Sequence, residues 1–362
     1  MNVFYGAFIP GLREIIAQIV RERLPGVVIL KLLDGAILFE TQCAYDTLNF
    51  FCFNNIFACI SVMETVPNAR TASTEALEAH IKALVHNTAP QSPDAEFIIS
   101  HNSKKFRTFR IAASLENKPA ALDEKIRLEA EQYIARLSGL DVNRSRPDAE
   151  FWFLYRSEGF SIFMKRLTLR PSWEKTLHPG ELPPPLAWIL CCLGNLKHSD
   201  AVLDPFCGYG SIPHAAIKYF HITKFFACDN NEKAAAYTAA RFKNRTGLGT
   251  GPDGPLVFHK TDFRSLVSLL GEKSIDAIIT DPPWGFYQDA AQSIEQLYAE
   301  MFSVFDTLLA ENGRIVILSA RTDELLRAAG SRFTVQKHIP ILLSGKKTGI
   351  FCFMVTPGME LA

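Results

Sequence analysis

The sequence lacks several features that would assign a function at sight. It has no net charge, with 38 Lys and Arg against 38 Asp and Glu, which excludes capture of nucleic acid by bulk electrostatics alone. Its eight cysteines never fall in a Cys-x-x-Cys spacing and mostly sit inside apolar runs. They read as reduced, buried small hydrophobes, so no zinc site or other metal centre is expected and the compartment is a reducing one. No uncharged run reaches the roughly 18 residues of a spanning helix, and no basic segment followed by a long apolar one opens the chain. The expectation is a cytoplasmic, soluble monomer with no membrane partner.

What is present is ample material for cores. At 362 residues, 48% hydrophobic and 21% charged, the chain accommodates two or three folded domains. Charge is unevenly spread: residues 1–100 carry −4, residues 101–180 carry +5 and the remainder −1. A basic middle segment is a candidate phosphate-facing patch, or an ordinary solvated face.

The N-terminal stretch has a strand-like Val3–Phe8, an amphipathic pattern from Leu12 to Leu24, and a hairpin of Val27–Leu30 with Ala36–Glu40 around Asp34-Gly35. The aromatic run from Tyr45 to Ile60 fits helix or strand. This predicts a ferredoxin-like β-α-β-β unit over residues 1–65. Residues 66–170 form a second α/β unit, with strands at Phe97–Ser100 and Thr108–Ser114, a helix over Leu122–Leu137, and further strands at Ala149–Tyr155 and Phe160–Leu169. Within it Lys104, Lys105, Arg107 and Arg110 interleave with Phe106 and Phe109, a pattern suited to phosphates and unpaired bases. The same pattern arises when the two rings are core and the cations lie outside. A proline-rich linker is expected over 171–190, and residues 191–362 alternate strands and helices as a doubly wound sheet does.

Two loops in that last region carry chemistry. Asp204-Pro205-Phe206-Cys207-Gly208-Tyr209-Gly210-Ser211 follows the strand Ala201–Asp204. Its Gly-x-Gly lets backbone approach a ligand closely, but no third glycine follows, and position 213 is Pro. The opening acid would also repel a pyrophosphate. An acidic loop suits a ligand with a cationic end, as the sulfonium and amino group of S-adenosylmethionine provide. Asp229, at the end of the next strand, is placed for ribose hydroxyls, and Asp262-Phe263, after the third, for the adenine. Each acid alone could instead cap a helix. The second loop, Asp281-Pro282-Pro283-Trp284, ends the strand Ile275–Thr280. A carboxylate, carbonyls without neighbouring N–H groups and a flat ring make a clamp for a planar amine.

These two loops, with Leu177-His178-Pro179-Gly180-Glu181-Leu182 before them, resemble the class I methyltransferase domain of the THUMP-containing RNA methyltransferases. The resemblance covers about residues 165–356 and is weaker over 1–165, where Phe106–Ser114 is similar to a THUMP module. It implies a class I, Rossmann-like methyltransferase sheet behind ferredoxin-like and THUMP-like α/β domains. It also implies N2-methylation of guanosine in RNA, most often tRNA, with S-adenosylmethionine as cofactor. By position, Asp204, Gly208 and Gly210 would line the methionine part, Asp229 the ribose, Asp262 the adenine and Asp281 to Trp284 the target base. His178 and Leu182 would touch the cofactor, with Pro205, Phe206, Ser211, Asn230 and Phe263 completing its site. Tyr209, Ser211 and Trp284 depart from the residues usual there, and Tyr209 is bulky enough to narrow the cradle. The alternatives are a DNA adenine-N6 or cytosine-N4 methyltransferase, since the clamp serves any planar amine, and a catalytically inactive RNA-binding protein.

Overall fold

A computed structural model describes residues 1–45, 51–64, 73–86, 88, 91, 95–100, 106–116, 118–168, 177–243, 255–285 and 293–356. The chain forms two compact units, Met1–Phe8 with Arg13–Arg170, and Ile9–Leu12 with Pro171–Ala362. No helix among the described residues is long and apolar enough to cross a membrane.

The first unit runs β1 (Asn2–Ala7), α1 (Arg13–Arg23), β2 (Val28–Leu33), β3 (Ala36–Thr41), β4 (Asn55–Glu64), α2 (Ser73–Val85), α3 (Ala95–Ser100), β5 (Thr108–Leu115), β6 (Lys118–Pro119), α4 (Glu124–Ser138), β7 (Asp141–Val142), β8 (Ala149–Arg156) and β9 (Phe160–Arg166). Among the described residues its nine strands form one sheet in the order β2-β3-β1-β4-β9-β8-β5-β6, with β7 beside β5. The hairpin at Asp34-Gly35 forms as expected, Gly35 taking a positive φ of 88°. The ambiguous aromatic run ends in a strand, β4. Because β4 pairs antiparallel with β9, residues on either side of position 65 share the sheet. Phe97–Ser100, expected as a strand, lies in helix α3. Its buried residues are Ala95, Ile98 and Ile99, a spacing of three and four that puts one face inward and leaves Phe97 52% exposed. Three consecutive apolar residues concealed that period. Helix α4 starts where Asp123 accepts from the backbone of Lys125 and Ile126, and stops at Gly139 in the left-handed region.

The second unit runs α5 (Pro184–Leu193), β10 (Ala201–Asp204), α6 (Ser211–Phe220), β11 (Lys224–Cys228), α7 (Glu232–Lys243), β12 (Leu256–His259), α8 (Leu266–Leu270), β13 (Ile275–Thr280), α9 (Ile294–Leu308), β14 (Leu309–Ser319), α10 (Thr322–Ala329), β15 (Phe333–Leu343) and β16 (Lys346–Val355). The expected linker over 171–190 is therefore helical from Pro184. Pro184 and Pro185 occupy the first turn of α5, where a backbone N–H has no helical partner to lose.

The strand order is β12-β11-β10-β13-β14-β16-β15. The first five are mutually parallel and β16 runs antiparallel to both its neighbours. This is the doubly wound sheet read from the sequence. The chain builds outward from β10 in one direction and from β13 in the other, so the carboxyl ends of these two adjacent strands open the crevice where ligands bind in such sheets. Both chemistry-bearing loops leave from those ends.

Candidate active site

Strand β10 delivers Asp204 at its last position, fully buried. Its Oδ1 accepts from the backbone of Phe206 at 3.2 Å and from Thr280 Oγ1 at 2.8 Å, while Oδ2 is buried and accepts nothing. Burial pushes the carboxyl up to about 7 against the pull of those two bonds, and the Asp229 charge adds to the rise. Thr280 ends β13, so one hydroxyl ties the two strand tips together. Beyond Asp204, Gly208 and Gly210 take φ of 50° and 77°. A Cβ on Gly208 would meet nothing within 4 Å, so space opens over the loop there. On Gly210 it would lie 2.9 Å from Thr238 Cγ2.

Asp229 holds this loop from behind. Its Oδ2 accepts from Gly208 N at 2.7 Å and its Oδ1 from Asn231 N at 2.7 Å, while Thr238 Oγ1 donates to Gly208 O at 2.8 Å. The acid is thus both cap and brace, and each oxygen keeps a further lone pair for a ligand. Asn230 beside it is exposed, and Pro205 is buried. Asp262 caps the turn after β12, accepting from Arg264 N at 3.0 Å and pairing with the Arg264 guanidinium at 2.8 Å. Phe263 is core rather than an open platform: it is 3% exposed and meets Phe206 at 5.1 Å between ring centres.

The segment before α5 is latched to the same loop. The His178 ring stacks on Tyr209 at 4.4 Å and 9°, and Tyr237 closes on His178 edge-on at 4.6 Å. Tyr209 also meets Tyr237 edge-on at 5.5 Å, so the three rings form one cluster. Glu181 Oε2 accepts from His178 N at 3.1 Å, and its Oε1 accepts from Arg241 Nη1 at 3.1 Å and Ser211 Oγ at 3.4 Å. Arg241 Nη1 also donates to Tyr209 O at 2.9 Å, and Leu182 is buried alongside. Neither Glu181 nor Arg241 is a site residue in the sequence reading, because their partnership spans 60 positions. With the two side chains 5% and 15% exposed, Glu181→Ala strands a buried guanidinium, and a loss of about 3 kcal/mol of stability is expected. Urea denaturation measures it; an unmoved midpoint would show the pair to be dispensable.

Strand β13 delivers the second loop. Asp281 is half-buried as a residue, but its Oδ1 is shut from water and accepts no hydrogen bond. Burial, then the charge of Asp204, push the carboxyl up to about 8, opposed by the Trp284 side chain. The Pro283 carbonyl accepts from Tyr298 OH at 3.2 Å and the Trp284 carbonyl from Arg321 Nε at 2.8 Å. Among the described residues nothing donates to the Pro282 carbonyl. Thr280, Tyr298 and Arg321 also lie outside the sequence reading.

The basic stretch of the first unit is described in part. Lys104 and Lys105 lie outside the described residues. Arg107 is exposed, its backbone N–H donating to Asp148 at 2.9 Å. Arg110 is paired with Glu150, which also holds Arg166 at 2.9 Å and the Trp152 indole at 3.1 Å. Phe109 is fully buried against Phe151. The interleaving therefore comes from strand β5 facing the core with one side, and Arg110 has a neutralising partner.

A donor with a cationic centre fits the crevice. Asp204 Oδ2, buried at the tip of β10, is an acceptor without a partner, and the open space over Gly208 admits a ligand against the backbone. The RMKL-like methyltransferase-domain family matches residues 171–343. The chain is 30% identical over 159 residues to a tRNA (guanine(10)-N2)-dimethyltransferase of Methanocaldococcus jannaschii, covering 43% of this chain and 42% of that one. It is 30% identical over 136 residues to a protein of Methanothermococcus thermolithotrophicus named "Probable tRNA (guanine(10)-N2)-dimethyltransferase", covering 38% of this chain and 80% of that one. The matches span about half the length of the first curated relatives, 42% and 59%. Among solved structures, TrmN from Thermus thermophilus superposes with a TM-score of 0.74 at 20% identity, over 98% of this chain and 100% of that one. That likeness establishes the class I methyltransferase fold.

Proposed function

This chain belongs to the RMKL-like methyltransferase-domain family, and on that premise we propose that it methylates the exocyclic N2 amine of a guanosine in tRNA. S-adenosylmethionine is the methyl donor; bound, it supplies an electrophilic methyl group on a cationic sulfur. Asp204 Oδ2 would face its charged end, and Asp229, already bonded to Gly208, would take the ribose. The observation that carries the reading is the unpartnered, water-shielded Oδ1 of Asp281 at the tip of the strand next to the one that ends in Asp204.

The chemistry follows from those groups. An aryl amine is a poor nucleophile because its lone pair is delocalised into the ring. Asp281 Oδ1 and the Pro282 carbonyl, accepting the two N–H bonds, hold the nitrogen in a geometry that turns the lone pair toward the methyl group. The Trp284 face stacks on the extruded base. As nitrogen gains a fourth bond, one N–H proton passes to Asp281 Oδ1, which its raised proton affinity equips to receive it. We read residues 1–65 and 66–170 as ferredoxin-like and THUMP-like parts of a front unit that holds the RNA, with Arg107 exposed for phosphate contact, in a cytoplasmic enzyme.

The test is transfer of labelled methyl to an unmodified tRNA transcript, with nucleoside mass spectrometry for N2-methylguanosine. Label on duplex DNA instead would transfer the assignment to adenine N6 or cytosine N4, and no calorimetric binding of S-adenosylmethionine would leave an inactive RNA-binding protein. A pH dependence also follows. With Asp281 at about 8, the carboxyl of the free enzyme holds a proton below that value and cannot take the one the amine must lose. kcat/KM should rise from about pH 6 and level off above about pH 8. A flat profile would remove ionised Asp281 from the reaction.

A further inference from the structure

We infer that Tyr298, Ser319 and Arg321 are positioning residues that dictate which acceptors the Asp281–Trp284 loop presents. The inference rests on the reading of that loop as an amine clamp.

Tyr298, fully buried on α9, places its OH 3.2 Å from the Pro283 carbonyl and 3.0 Å from Ser319 Oγ at the buried end of β14. Arg321 N donates to the same Ser319 Oγ at 2.9 Å, and Arg321 Nε donates to the Trp284 carbonyl at 2.8 Å. Proton accounting fixes the direction of every bond. A backbone N–H only donates, so Ser319 Oγ accepts from Arg321. A carbonyl only accepts, so the phenol proton of Tyr298 goes to Pro283. The one bond left to assign, between the two hydroxyls, then runs from Ser319 to Tyr298. Burial raises the Tyr298 phenol well above its ordinary range, and the charge of Asp281 adds to that, so the donor stays protonated.

This one-way chain acts on the two carbonyls at the distal end of the loop. Both are committed to the protein, and neither proline contributes an N–H. What remains is Asp281 Oδ1, which accepts nothing, and the Pro282 carbonyl, to which no described residue donates. With Asp281 ionised, above about pH 8, these two acceptors match a group offering two N–H bonds. They repel a keto oxygen or an aromatic nitrogen lone pair. The hydroxyl of Tyr298 is not explained by packing, since phenylalanine would fill the same volume without burying a polar atom that must find partners.

The experiment compares the full-length protein with Tyr298→Phe, Ser319→Ala and Arg321→Gln. Wild-type transfer to a tRNA transcript is measured first, and its absence would fail the proposed function without touching the brace. Expected for the variants is a loss of about 10- to 100-fold in kcat, with the calorimetric Kd for S-adenosylmethionine, the KM for tRNA and the thermal midpoint all near wild type. Acrylamide quenching of Trp284, taken as the difference from a Trp284→Phe background, should increase in each variant whether or not RNA is turned over. Unchanged kcat with unchanged quenching overturns the inference. So does a loss of kcat that comes with parallel losses of cofactor affinity and thermal midpoint, since that is what a merely structural role produces.

Discussion

Asp281→Ala is expected to lower methyl transfer by about a thousandfold or more while leaving S-adenosylmethionine affinity within a few-fold. The alanine removes both an acceptor for the amine and the group that receives its proton, whereas the cofactor cradle is held by Asp229, Thr238, Glu181 and Arg241 on other elements. Transfer assays paired with calorimetry separate the two effects. Transfer within tenfold of wild type would strip Asp281 of the role. A stability consequence accompanies it. A carboxyl whose folded value lies near 8, above its unfolded value of about 3.9, supports the fold while protonated and withdraws that support as pH rises from about 4 through 8. At about pH 9 the ionised group opposes folding, so Asp281→Asn should raise the thermal midpoint. A fall would mean that the charge is compensated in the protein.

Asp229→Ala should weaken S-adenosylmethionine binding by about 100-fold. Two charge-assisted bonds at 2.7 Å disappear, one from Gly208 N and one from Asn231 N, and bonds of that kind contribute about 1.5–3 kcal/mol each. Gly208, at a φ of 50°, then loses the contact that selects its unusual backbone state, and the loop must be reordered by the ligand at binding. Asp229→Asn should fall between, because the amide oxygen can replace only one of the two acceptors. Calorimetric titration reads all three proteins. Equal affinities would show that the loop is held without this acid and that the acid does not meet the cofactor.

How far the site was legible depends on distance along the chain. The tips of β10 and β13 stand out because an apolar run ending in Asp-Pro is a local signal, read without knowing the fold. The adjacency of those tips follows once the alternation of strands and helices implies a doubly wound sheet. The supporting side chains do not follow. Thr280 meets Asp204 across 76 positions, Arg241 meets Glu181 across 60 and Arg321 meets Trp284 across 37. Such pairs exist only after strand order is fixed, and a lone Thr, Arg or Tyr in a helix or turn gives no hint of them. The errors have equally local causes. Phe97-Ile98-Ile99 looked extended because neighbouring apolar residues hide a helical period. The prolines at 184 and 185 looked like linker because a first helical turn tolerates them.

The pairing of β4 with β9 bears on how the front of the chain can be inherited. Severing the polypeptide near position 65 would lay open two long, largely apolar borders, one along Asn55–Glu64 and one along Phe160–Arg166, each a template for self-association. Neither fragment is a portable module. Recombination that shuffles such genes would have to carry β4 and β9 together, so the stretches on either side of position 65 are bound to share one evolutionary history.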